Sequence, residues 1–311
     1  MTYNLRLVQF ETKDQLLLPG LLFEPKSNTC LPAGKSKKVL IYLHGNGSSS
    51  IFYSVNKMNI LAEEFSNQGI AFFPFNNRGA HYLHTIKKTN PPVGGEIKIG
   101  MALEIIKDCI FDIDGAINFL KKLGYSEFYL AGSSTGANKI VVYHYYKSVN
   151  PIKKYILLSS GDDVGLSYEM LGRVKFWLML KKCFWEIKRG NGRKLIKEIQ
   201  DDFLYSYQSL YDTINPNGDY NIFPLNEYIN KLKLSKKPLF KEYKTINKQT
   251  LVIYGECDEY CYGVVPKCVE ILKKECGHKD KFTFKIIKGA DHGFSGHESE
   301  LAKTISQWLT K

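Results

Sequence analysis

Six largely apolar, strand-like runs constrain this chain more than any other feature: KVLIYL (38–43), IAFFPF (70–75), FYLAG (128–132), YILLSS (155–160), LVIYG (251–255) and FTFKII (282–287). A strand that is apolar at nearly every position has both faces covered. Strands of that kind belong to parallel sheets with helices packed on each side. Helical stretches fill the gaps. Between 101 and 123, Ile106, Ile110, Ile113, Ile117 and Leu120 recur in steps of four and three, which predicts one amphipathic helix. Leu301, Ile305, Trp308 and Leu309 mark another at the end. The segments 5–12 and 16–25 read as an opening hairpin.

The alternation breaks once. From about 164 to 246 no strand–helix unit is visible, and the segment is aromatic, basic and partly helical. It reads as a helical cap inserted after the sixth strand, leaving 1–163 and 247–311 as the core. A chain of 311 residues, 44% hydrophobic, is long enough for one large core with such an insertion, or at most two domains. NPPVGG at 90–95 reads as a loop.

The net charge of +12 raises the question of an anionic partner. The lysines are spread along the whole chain among Asn, Ile and Tyr, and no nucleic-acid motif accompanies them, so no nucleic-acid partner is expected. The first residues carry no apolar leader segment. The longest greasy run, Val174 to Leu180, contains a lysine and is far short of a membrane span, so no stable membrane insertion is expected. Seven cysteines without framework spacing predict a reduced, cytoplasmic protein. Cys257, Cys261, Cys268 and Cys276 do not form the closely paired units of a zinc site and read as free thiols, with no metal.

Chemistry concentrates in four loops. Gly132-Ser133-Ser134-Thr135-Gly136 fits G-x-S-x-G, with a strand before it and a helical stretch after it. That context suits a sharp turn that lifts the Ser134 hydroxyl into the open, beside the positive end of the next helix. Ser133 is the adjacent alternative. A serine hydroxyl needs a base. His292, in a Gly-containing loop after the strand 282–287, is the best placed of seven histidines. His144 falls inside a helix, His278 in a charged loop and His297 at the start of the last helix, while His81 and His84 sit in a loop. A carboxylate must orient the imidazole. Asp258 follows the strand 251–255; Glu256 and Glu259 are neighbouring rivals, and Asp162 and Asp163 weaker ones. Finally, His44-Gly45-Asn46-Gly47 follows the strand 38–43, and its backbone N–H groups can point inward. The backbone donors of Asn46 and Thr135 are the expected oxyanion hole, with His44 structural.

HGNG, GSSTG, GECD and GADH, in that order and each at the end of a strand, resemble the α/β-hydrolase superfamily over about 38–163 and 247–311. The resemblance implies an eight-stranded, mostly parallel sheet and serine-based acyl transfer by Ser134, Asp258 and His292, without a cofactor. FNNRG and GSSTG further resemble the DUF1749 type, related to fungal siderophore esterases, although Ser133 stands where those relatives typically carry a histidine. The expected reaction is hydrolysis of a carboxylic ester or related acyl compound, acting on a small-molecule acyl substrate. A peptidase, an acyltransferase or a non-catalytic binder on the same scaffold are the alternatives. Arg78 is read as pairing structural carboxylates rather than a substrate anion. The aromatic, basic segment 176–185 reads as an amphipathic pair of helices packing on the sheet domain, with a roof over an apolar acyl pocket or a contact with an anionic membrane surface as the functional alternatives. Oligomeric state is not legible.

Overall fold

The computed structural model describes residues 2–26, 37–52, 54–89, 95–197 and 204–311. In chain order the strands are β1 (Tyr3–Glu11), β2 (Leu17–Pro25), β3 (Lys37–Leu43), β4 (Ile70–Phe75), β5 (His84–Lys87), β6 (Glu96–Ile99), β7 (Tyr125–Ser133), β8 (Ile152–Leu158), β9 (Gln249–Gly255) and β10 (Phe282–Ile287). The helices are α1 (Val55–Asn67), α2 (Cys109–Lys122), α3 (Thr135–Tyr146), α4 (Asp163–Lys188), α5 (Tyr207–Ile214), α6 (Leu225–Ile229), α7 (Val265–Glu275) and α8 (Glu298–Leu309).

Eight strands form one sheet in the order β1-β2-β4-β3-β7-β8-β9-β10. β2 is antiparallel to both its neighbours, and every pairing from β4 to β10 is parallel. The central strands are buried on both faces, as their unbroken apolar runs require. One face carries α2, α3 and α7, through Ile113, Ile117, Ile140 and Leu272. The other carries α1 and α8, through Leu61, Phe65, Leu301 and Ile305. A third, separate cluster joins Val164, Phe176, Cys183, Leu210 and Ile214 within the segment between β8 and β9.

Three features differ from the sequence reading. FTFKII, expected as a covered strand, is the sheet edge β10, and most of its residues are partly or fully exposed because only β9 pairs with it. The helix expected over 101–123 begins at Cys109; before it the chain makes two short 3-10 turns, at Met101–Leu103 and Ile106–Asp108. Ile105 between them is extended (φ −116°, ψ 123°), and Glu104 is turned inward to a buried lysine. His84, read as a loop residue, lies in β5, which pairs with β6 in a separate two-stranded ribbon. Of NPPVGG, residues 90–94 lie outside the described residues.

Because β3, β7, β8, β9 and β10 run the same way, the segments that follow them emerge along one edge of the sheet. In open α/β sheets that edge is where ligands bind.

Candidate active site

β7 runs into α3 with a single residue, Ser134, at the turn. Its backbone has φ 56° and ψ −128°, a region that L-residues other than glycine rarely enter. The turn is this tight because α3 is pressed against β3. A Cβ on Gly136 would lie 2.4 Å from the Leu43 carbonyl oxygen, so that position has room only for glycine. The Ser134 N–H donates to Leu158 O of β8 at 2.8 Å, which anchors the turn to the sheet.

The loop after β3 passes directly beside Ser134. A Cβ built on Gly45 would fall 2.9 Å from Ser134 Cβ and 3.5 Å from its Oγ. His44 fixes this loop. It is buried, its Nδ1 lies 2.8 Å from Gly45 O, and Asn77 N–H donates to its Nε2 at 3.1 Å. Those partners place the proton on Nδ1. Burial, together with the nearby Lys139 cation, pushes its pKa down to about 3, so it stays neutral. Among the described residues the backbone N–H groups of Asn46 and Thr135 have no protein acceptor. The side chain of Asn46 hydrogen-bonds the Tyr205 hydroxyl, linking this loop to the β8–β9 segment.

His292 sits in the loop after β10, and its Nδ1 is 2.8 Å from Asp258 Oδ1. Asp258 is buried and its Oδ1 also accepts from Tyr260 N–H at 3.1 Å. The loops after β9 and β10 are tied together by Glu256 N–H to Ile287 O at 2.9 Å and Cys257 N–H to Ala290 O at 2.8 Å. The rival acids have other partners. Glu259 accepts from the backbone N–H of His292 at 3.1 Å, and Glu256 from that of Gly289 at 2.9 Å. Tyr260 packs its ring edge-on against the imidazole, with centroids 4.6 Å apart. His292 Nε2 makes no hydrogen bond among the described residues and is open to accept a proton. A contact from a serine hydroxyl to such a nitrogen often tightens only with substrate in place.

Ser134, Thr135, Asn46 and His292 line one cavity of about 930 Å³. Its apolar wall comes largely from the β8–β9 segment: Leu166, Met170, Leu171, Met179, Leu210 and Ile214. Asp163, at the start of α4, is also in the wall, and Asn138 Nδ2 donates to its Oδ2 at 3.1 Å. Desolvation and the adjacent Asp162 carboxylate push the Asp163 pKa up to about 7. Asp162 itself accepts from Gly165 N–H, Asn226 N–H and the Tyr262 hydroxyl, and so fixes the start of α4.

The fold is that of the α/β-hydrolases. Over 97% of this chain and 98% of the other, it superimposes with a TM-score of 0.64 on Est1E from Butyrivibrio proteoclasticus, solved with ferulic acid bound, at 15% identity. A soluble variant of the Saccharomyces cerevisiae monoglyceride lipase, in complex with a substrate analog, gives 0.60 at 14% identity, covering 99% and 95%. The Exiguobacterium antarcticum esterase gives 0.56 at 14%, covering 98% and 99%. No protein-family model and no curated relative matches the sequence.

The remaining candidates fall elsewhere. Arg78 is buried and bonded to Asp112 through Nε at 2.9 Å and Nη2 at 2.8 Å, and to Asp14 through Nη1 at 3.0 Å. It ties the loop after β4 to α2 and to the β1–β2 turn. His144 bridges the Tyr155 hydroxyl and Thr245 O inside the core. Cys261, Cys268 and Cys276 are buried thiols, and Cys257 is exposed. Sequence reasoning missed a polar layer beneath the site. Lys139 of α3 donates to Asn77 Oδ1 at 2.9 Å and pairs with Glu104 Oε1 at 2.5 Å, and neither Lys139 nor Glu104 is marked by a local motif.

Proposed function

We propose that this protein is a serine hydrolase that cleaves a carboxylic ester or related acyl compound through an acyl-enzyme on Ser134. One observation carries the reading. The serine held in a strained strand-to-helix turn shares a cavity with an imidazole whose far nitrogen is held by a buried carboxylate. In this reading His292 Nε2 takes the Ser134 proton as Oγ attacks the carbonyl carbon, and the carbonyl electrons move onto oxygen. The backbone N–H groups of Asn46 and Thr135 receive that oxyanion. Asp258 keeps the proton of His292 on Nδ1 and stabilises the imidazolium. Collapse expels the alcohol, which takes its proton from His292, and water repeats the sequence to release the acid. The β8–β9 segment acts as a cap whose apolar side chains receive the organic part of the substrate.

The similar structures include an esterase and a monoglyceride lipase, which favours an ester over an amide. A peptidase, an acyltransferase and a non-catalytic binder remain the alternatives. The narrower likeness to siderophore esterases makes such esters one class to screen.

The test is labelling with a fluorophosphonate probe, followed by peptide mass spectrometry, on wild type and Ser134→Ala. Labelling of Ser134, absent from the folded variant, is the expected result. A folded wild type that takes no label, or takes it on Ser133, overturns the assignment.

A further inference from the structure

α4 bends at Gly172 (φ 69°, ψ 159°), and the part beyond the bend shows solvent an apolar strip. Val174 is 71% exposed, Leu178 62% and Trp185 51%, with Trp177 and Phe184 also exposed. At about 100° per residue, Val174, Leu178 and Trp185 fall within about 40° of one line along the helix. The opposite side, with Phe176 and Cys183, is buried against α5. Exposed Lys181 falls on the same line between Leu178 and Trp185, with Trp177 about 60° to one side, so large apolar and basic side chains share this face, an arrangement that marks a contact rather than an ordinary soluble surface.

The charges around the strip are mostly positive. Between 169 and 189 there are six cations, Arg173, Lys175, Lys181, Lys182, Lys188 and Arg189, against Glu169 and Glu186. Glu186 is already engaged by Arg189 at 2.8 Å and Asn191 at 2.6 Å. This short stretch therefore holds an excess of four positive charges, a third of the +12 of the chain. A helix with Trp and Leu outward and Lys and Arg alongside suits the interface of a bilayer with anionic headgroups. The same helix reaches the cavity. Met170, just before the bend, is 60% exposed and also lines the cavity that holds Ser134.

We infer that the outer face of α4 docks this protein peripherally on an anionic lipid surface, which sets the mouth of the Ser134 cavity against that surface. No helix among the described residues is long and apolar enough to cross a membrane, so the contact is a surface one. The docking does not depend on the hydrolase reading. The corollary that the substrate is an acyl lipid drawn from that layer does depend on it.

The test is cosedimentation of the full chain with vesicles of phosphatidylcholine alone and of phosphatidylcholine mixed with phosphatidylserine, at low and high salt. Binding to the mixed vesicles that weakens with salt is expected. Leu178→Glu with Trp185→Glu, and separately Lys181→Glu with Lys188→Glu, should each weaken it at least about tenfold. Both pairs should leave fluorophosphonate labelling of Ser134 in solution unchanged, which separates this inference from the proposed activity. Absence of binding by the folded chain to either vesicle overturns it, as does binding that neither pair weakens. Self-association abolished by Leu178→Glu without vesicle binding would assign the strip to a second copy. Retention on nucleic acid without vesicle binding would equally overturn it.

Discussion

Lys139 Nζ lies 2.5 Å from Glu104 Oε1 beneath the Ser134 turn, and both side chains are buried. Lys139 is held by the Glu104 carboxylate and by Asn77 Oδ1, and Lys139 is the cation paired with Glu104 among the described residues. Lys139→Met should therefore strand a buried carboxylate and destabilise the protein by about 3–5 kcal/mol in urea unfolding. The double variant with Glu104→Leu should recover much of that loss. Additive losses would show that the two groups do not act as a pair.

Asp258→Asn replaces an acceptor at His292 Nδ1 with an amide that can offer a donor, favouring the wrong tautomer. The labelling rate at Ser134 should fall by roughly three to four orders of magnitude with the fold intact. Glu256→Gln should change it by less than about twofold, because among the described residues that carboxylate holds the Gly289 backbone and not the imidazole. A large loss in the second variant and not the first would move the orienting carboxylate away from Asp258.

Asp163 and Asp162 make stability depend on pH in a defined direction. Their folded-state pKa values are raised to about 7 and about 6 by burial, and for Asp163 by its neighbour as well. In the unfolded chain both ionise near pH 4. Between roughly pH 4 and pH 7 the unfolded state has released protons that the folded state keeps, so these groups lower stability as pH rises through that window. Above it their effect is constant. Asp163→Asn should raise the melting temperature more at pH 8 than at pH 5. An equal gain at both would refute the assignment.

Much of the fold is legible because its signals are local. KVLIYL and IAFFPF need only their own composition to read as covered strands, and the Gly132–Gly136 turn reads from five consecutive residues. FTFKII misleads because an apolar run does not say whether a strand has one neighbour or two. The helix over 101–123 is over-extended because Ile106 keeps the helical period while the backbone at Ile105 does not. For the site, loop order brings Ser134, Asp258 and His292 to the same edge. His44 reads as structural, but its link to Lys139 and Glu104 through Asn77 stays hidden: these residues come from four separate segments, and a lysine within a helix looks like any solvated one. Glu259 reads from the sequence as a rival partner for the imidazole, whereas it holds the His292 backbone, a difference that only geometry reveals.

The Ser134 backbone at φ 56° has a consequence for how such a chain can be improved. Glycine occupies that region without the penalty of about 1–2 kcal/mol that a Cβ incurs there. Selection for thermal robustness alone would thus reward loss of the very side chain that the proposed chemistry uses. Robustness compatible with turnover has to come from elsewhere, from the sheet and the helices beneath the turn.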